Sequence, residues 1–282
     1  SGGWTFGSPS VLMMFHRQNG ALDRELAEMD ECMPHYYKIT RGHGQGAETI
    51  MAGEAALMRG RFADAHIALE RSYAQIEGNG QENMALCADF LALRLSLCAD
   101  TPLRYAPEQR RAALLGQHNI SWVNIFTAAC AYYYALLEDT AQIPELFAGH
   151  RLASVNFLAP GRPMMDLIEN QVYLAQGAWA KVIGRAPGLL AACGGLHYAL
   201  VALHINLQTA AAYAMLGKET DALALLHAAL ADAQPDGLVL PFVENFRYLK
   251  NLLPLCPPSP LTEQIAQLGP QWLARCRRLT EQ

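Results

Sequence analysis

Four stretches of this 282-residue chain have residue types and spacings that chemistry uses. The first is Gly217-Lys218-Glu219-Thr220, which has the outline of a phosphate-binding loop. Such a loop reads G-x-x-x-x-G-K-S/T: backbone N–H groups wrap the phosphates and the hydroxyl after the lysine holds Mg²⁺. Here Glu219 puts an anion where a phosphate would sit, and Ala212 stands in place of the first glycine. The preceding LHINLQTAAAYAM favours helix, not the strand such a loop follows. Gly217 therefore reads as a corner between two helices, and Lys218 as a solvated turn residue. The second group is His197 and His204, seven apart and so on nearly one helix face. A metal would want ligands at i and i+4, or an added carboxylate or cysteine. None is spaced that way, so both read as interior histidines. The third is AYYYAL, residues 131–136, whose consecutive tyrosines point in three directions on a helix. It reads as core plus one groove contact. The glycine-rich RGHGQGAE, residues 41–48, could present amides to an anion at the next helix start. Arg41 is its one lysine or arginine, and a plain connection is the simpler reading. There is no G-x-S-x-G elbow and no nucleophile paired with a base. The sequence assigns no catalytic residue, metal or cofactor and predicts no enzyme.

Other stretches share the Gly217 corner. AALMRGRFADAHIALERSYA surrounds Gly60, and VYLAQGAWAKVIGRAPGLLA surrounds Gly177. Gly177 and Gly217 are 40 residues apart, and Gly60 to Gly177 is 117, three steps of 39. The skipped corners fall near Ala99-Asp100 and Glu138-Asp139. Five positions after each glycine stand Ala65, Val182 and Ala222, and nine after it Leu69, Ala186 and Leu226. Small and bulky residues at fixed offsets suit helices that interdigitate. The pattern resembles the tetratricopeptide repeat, whose own period is 34.

The elements that carry these residues are helical throughout. A first helix is expected at 21–37. Pairs follow at 47–59 with 62–77, 81–98 with 107–116, 119–138 with 141–150, 164–176 with 179–192, and 197–216 with 219–233. PFVENFRYLKNLLPL reads as one further helix, and a last one spans 261–280. The fold class predicted is all-α: a tetratricopeptide-like, right-handed superhelical solenoid of antiparallel helix pairs. It forms one domain over 1–282, with an irregular start and first helix in 1–45, about five pairs in 46–234 and terminal helices in 235–282. The 52% hydrophobic content is enough for a large core. The net charge of −5 and the absence of a basic stripe argue against nucleic-acid binding. Seven scattered cysteines without a C-x-x-C, and no secretory leader, predict reduced thiols in the cytoplasm. Residues 117–137 and 186–217 lack Asp, Glu, Lys and Arg. They carry enough Asn, Thr, His and Gln to read as buried in protein rather than lipid.

The stretch AYAMLGKETDALALLHAALADAQPDGLVLPFVENFRYLKNLL resembles the end of the helical-repeat region in MalT-like regulators of the LuxR family. The residues that carry this are Leu216-Gly217-Lys218, Ala222, Ala229-Leu230, Pro235-Asp236-Gly237 and Pro241-Phe242-Glu244. Phe6-Gly7-Ser8-Pro9-Ser10, Cys32-Met33-Pro34-His35-Tyr36-Tyr37 and Gly42-His43-Gly44 are similar to bacterial members of that family. The resemblance implies a sensor region whose parent carries an NTPase and a DNA-binding helix-turn-helix. Neither activity maps to a residue of this chain. A small-molecule inducer or a protein partner is the expected ligand, and self-association is possible. A stand-alone adaptor solenoid is the alternative. First helices of a superhelical stack line its concave side, which makes Glu54, Arg94, Trp122, Asn124, Tyr133, Asn170, Gln171 and His204 the candidate groove residues.

Overall fold

A computed structural model describes residues 8–42, 44–79 and 82–281. Phe6, Gly7 and His43 of the family-like stretches lie outside these. Fifteen α-helices and no strand are present among the described residues. After α1 (Leu12–Phe15) and α2 (Leu22–Thr40) come α3 (Ala47–Met58), α4 (Phe62–Asn79), α5 (Glu82–Ser96), α6 (Pro107–Gly116) and α7 (Ile120–Leu137). Then follow α8 (Glu145–Ala148), α9 (Arg162–Ala175), α10 (Trp179–Leu196), α11 (Ala199–Met215) and α12 (Glu219–Ala233). The chain ends with α13 (Leu240–Glu244), α14 (Phe246–Leu249) and α15 (Pro260–Thr280).

The corners have one chemistry. Gly217 has φ +75°, a left-handed conformation that glycine adopts without a Cβ penalty. Its N–H donates to Ala214 O and that of Lys218 to Tyr213 O, at 3.1 and 2.9 Å. These two bonds satisfy carbonyls that the helix end would otherwise orphan. The same pair recurs at Gly60 and Gly177, and at Glu138, which holds φ +54° without being glycine. The corner near Ala99 is different: α5 ends in overlapping short turns with no left-handed residue. Ala65, Val182 and Ala222 are fully buried, and Leu69, Ala186 and Leu226 nearly so, so the fixed offsets after each glycine mark the packing face.

Helices α3, α5, α7, α9 and α11 pack in series as an inner layer. Helices α4, α6, α10 and α12 pack against them from outside. Helix α1 touches both α3 and α11, and so does α13, which joins the first pair to the fifth. Helix α15, started by the reciprocal Ser259–Thr262 cap at 3.1 and 2.8 Å, packs on α7, α13 and α14.

Three elements differ from the sequence expectation. Pro144 and Gly149 cut the second helix of the third pair to the four residues of α8, flanked by 3₁₀ turns. The helix expected from PFVEN onward is broken at Asn245 (φ −110°), whose side-chain amide donates to Pro241 O at 3.0 Å. His197 is not on the helix of His204; it ends α10 in the left-handed region. Helix α7 is long and apolar enough to cross a membrane, and 67% of it is buried within the protein.

Candidate functional site

Of the candidate residues, Arg94, Asn170 and Gln171 converge, but on a filled interior. Arg94 on α5 is 2% exposed and pairs with Glu244 through two bonds, Nε at 3.0 Å and Nη2 at 2.6 Å. Tyr132 Oη donates to the same carboxylate at 2.8 Å. The guanidinium also lies over the Phe90 and Tyr132 rings, at 5.4 and 5.3 Å from their centroids. Beside this pair, Gln171 Nε2 donates to Asn245 Oδ1, and Gln208 Nε2 to Gln171 Oε1, at 3.3 and 3.0 Å. Asn170 Nδ2 donates to Gln208 Oε1 at 3.2 Å, and Asn170 Oδ1 accepts from Arg185 at 2.9 Å. Low dielectric strengthens each of these bonds and makes any missing one expensive. Where a groove was expected, the inner layer therefore packs against the chain's own α13–α14 segment. Leu240, Phe242, Val243, Glu244, Asn245 and Leu249 are all at most 2% exposed.

Glu54 on α3 has a different partner. Its carboxylate accepts from Val11 N at 2.9 Å, Leu12 N at 3.3 Å and Ser10 Oγ, which fixes the start of α1. Burial pushes its pKa up to about 7; the bonds from Ser10 and Leu12 and the charge of Arg94 pull the other way. His204 is fully buried, and neither ring nitrogen has a partner among the described residues. Burial first, and then the nearby Arg94 charge, hold its pKa well below the ordinary histidine value, so its ring is neutral. Tyr133 is half-buried and sits edge-on to Tyr134, centroids 5.2 Å apart. Trp122 and Asn124 are half-buried in the first turns of α7, away from this network. Trp122 packs on a separate cluster of Leu86, Leu114, Val123, Ile125, Phe126 and Cys130.

Sequence reasoning missed Glu244, Asn245, Gln208 and Tyr132 as members of this interior. It also missed a clasp between the chain's two halves. His16 is 1% exposed; its Nδ1 is 2.6 Å from Glu25 Oε1 and its Nε2 is 3.8 Å from Asp236 Oδ2. Glu25 Oε2 accepts from Arg17 N at 2.6 Å. Asp236 accepts from Gly20 N and Leu22 N at 2.7 and 3.1 Å, and its own carbonyl takes Arg59 Nε at 2.9 Å. The sequence signal for the clasp was Pro235-Asp236-Gly237, which reads on its own as a helix break.

On the surface, two cavities adjoin the clasp. One, of about 630 Å³, is polar and lined by Asp23, Arg59, Arg61, Gln234, Asp236 and Gln264. The other, of about 500 Å³, lies between the end of α1 and α2, with Phe15, Met29, Met33 and Tyr36 among its walls. Residues 41–48 form the connection that the sequence favoured over an anion site, and its amides meet the chain's own groups: Gly46 N donates to Tyr37 Oη at 3.0 Å, and that hydroxyl bonds Glu48. Among the described residues no three His, Cys, Asp or Glu side chains are placed to share a metal ion.

No family model matches this chain, and no curated protein matches it. The functional reading therefore rests on what the named residues do.

Proposed function

We propose that this chain is the sensor and interaction region of a MalT-like, LuxR-family transcriptional regulator. In that reading it is a tetratricopeptide-like, right-handed stack that acts in the cytoplasm. It binds a small-molecule inducer or a protein partner and biases NTPase and DNA-binding modules of the parent protein. Its own part is binding rather than catalysis, with no direct contact to nucleic acid and none to a membrane. The observation that carries the proposal is the position of the family-like residues. Gly217 makes a repeated helix corner, Asp236 ties the start of α2 and the end of α3 to the end of the fifth pair, and Glu244 neutralises Arg94 in the interior. Residues that resemble a family's hallmarks thus occupy points where the stack is constrained.

Because α13–α14 is buried against the inner helices, a ligand has to act from the outer surface or on the contacts that join the first and fifth pairs. To signal, it must favour one arrangement of those contacts over another. A stand-alone adaptor is the second reading, favoured by Ile120 and Leu115 at the α6–α7 corner, 66% and 47% exposed. Reading the coding sequence on both sides of this chain separates the two. A Walker A motif before it and a helix-turn-helix after it support the regulator. Stop codons close to both ends overturn it in favour of the adaptor.

A further inference from the structure

We propose that the cavity between α1 and α2 is a binding site for a small amphipathic carboxylate, an apolar chain or ring bearing one anionic group. The inference rests on the sensor reading for its role in signalling and names the ligand class of that sensor. Its volume of about 500 Å³ lies in the range that encloses small molecules. Phe15, Met29, Met33 and Tyr36 supply an apolar wall, and thioethers adapt to varied apolar shapes.

Charge selects the head group. Among the described residues, four charged ones line the cavity: Arg17, Arg24, Glu25 and Glu28. Arg24 is 3.7 Å from Glu28 and donates to Gln18 at 3.2 Å. Both oxygens of Glu25 are used, one by His16 Nδ1 and one by Arg17 N. Arg17 is left as the one cation of the cavity whose guanidinium has no ion-pair partner among the described residues. A carboxylate supplies that partner, and the guanidinium fork matches it with two parallel bonds. A cationic ligand would instead have to compete with Arg24 for Glu28, since both oxygens of Glu25 are held.

The site also reaches the clasp. Glu25 is at once a cavity wall and the partner of His16, and the loop 16–21 is tied through Gly20 to Asp236. Occupancy at Arg17 thus bears on the loop between α1 and α2 that is tied to Asp236 at the end of the fifth pair.

The test is calorimetric titration of the full chain with octanoate, octanol and octylamine, repeated on Arg17→Gln. Arg17 is exposed, so the variant keeps its fold, which a thermal melt verifies. Modification of Cys32, an exposed residue of the cavity wall, by a disulfide reagent gives a local readout. Octanoate is expected to bind saturably with one site, at least about tenfold tighter than octanol, and to slow Cys32 modification. Arg17→Gln is expected to weaken octanoate by about tenfold or more, as for loss of a hydrogen-bonded charge. Absent saturable octanoate binding, no response to Arg17→Gln, or tighter binding of octylamine each overturns the proposal. Octanoate binding in a parent without the flanking modules keeps the site and removes the sensor reading. Flanking modules without octanoate binding do the reverse.

Discussion

Glu244→Gln keeps the shape of a buried side chain and removes its charge. In the native chain Glu244 and Arg94 have side chains 1% and 2% exposed, joined by bonds of 2.6 and 3.0 Å. The variant leaves Arg94 charged in a dry interior, with Glu54 the other carboxylate whose field reaches it. Breaking one side of a buried pair is destabilising by roughly 3–5 kcal/mol. For 282 residues the unfolding entropy is about 0.6 kcal/mol/K, so the melting temperature should fall by about 5–8 °C. Arg94→Met should fall comparably. The double variant Arg94→Met/Glu244→Leu should lose less than the sum, because no orphan charge remains. Differential scanning calorimetry reads all three. As a control, Arg104→Gln removes a partly exposed pair with Glu70 and Glu77 and should shift stability by no more than about 1 kcal/mol. A Glu244→Gln melt within about 2 °C of wild type would refute the reasoning, since it would mean that water reaches Arg94.

Glu54 gives a pH signature. Its pKa rises from 4.5 to about 7 on folding, so the folded state binds the extra proton between those values and stability at this site falls as pH rises through them. The loss is on the order of 3 kcal/mol once the group is ionised; urea midpoints of wild type and Glu54→Gln should diverge from pH 5 to 7.5 in that sense, and parallel curves would count against it. The glycines sort by space. Gly269→Ala drives a Cβ to 2.3 Å from the Phe246 ring and should destabilise by several kcal/mol in the manner of overpacking (~1–3 kcal/mol or more). Gly184→Ala and Gly188→Ala on α10 meet open space and should stabilise by about 0.5–1 kcal/mol, as read by denaturant midpoints. All seven cysteines are free, and Cys32 is the exposed one, while burial holds Cys130, Cys193 and Cys276 at about 12. One thiol should react within minutes in native protein and the rest only on unfolding; two fast thiols would contradict the packing.

Much of the architecture was legible because its signals are local. Glycine corners on a 39- to 40-residue step mark where three of the five pairs turn, and Glu138, a corner without glycine, falls on the same step. Counting back from those corners gave Glu54, Arg94, Tyr133, Gln171 and His204 as inward positions; the structure buries all of these but Tyr133, which is half-buried. What lies opposite them did not follow from the count. Glu244 is 150 positions from Arg94, and Asn245 is 74 from Gln171; no periodicity links such pairs. The apolar spacing of PFVENFRYLKNLLPL continues straight through Asn245, so the break there is invisible without its bonds to Pro241 and Gln171. An open concave groove was expected because a tetratricopeptide-like reading implies a curved layer and says nothing of what fills it. The clasp was hidden for a similar reason: Asp236 reads as a turn residue until Gly20 and Leu22 are seen to donate to it from the far end of the chain.

The claim on which the account turns is that residues 238–256 are part of the core and not a mobile occupant of a groove. Native-state hydrogen exchange followed by mass spectrometry tests it directly. Leu238, Leu240, Phe242, Val243 and Leu249 bury their side chains almost completely, each contributing roughly 1.5–3 kcal/mol, so local opening of the segment costs as much as global unfolding. The account predicts that its amides exchange with the slowest class, together with those of α5, α7 and α11. Exchange of 238–256 within seconds, while the inner helices stay protected, would contradict it and restore an open groove lined by Arg94, Gln171 and His204.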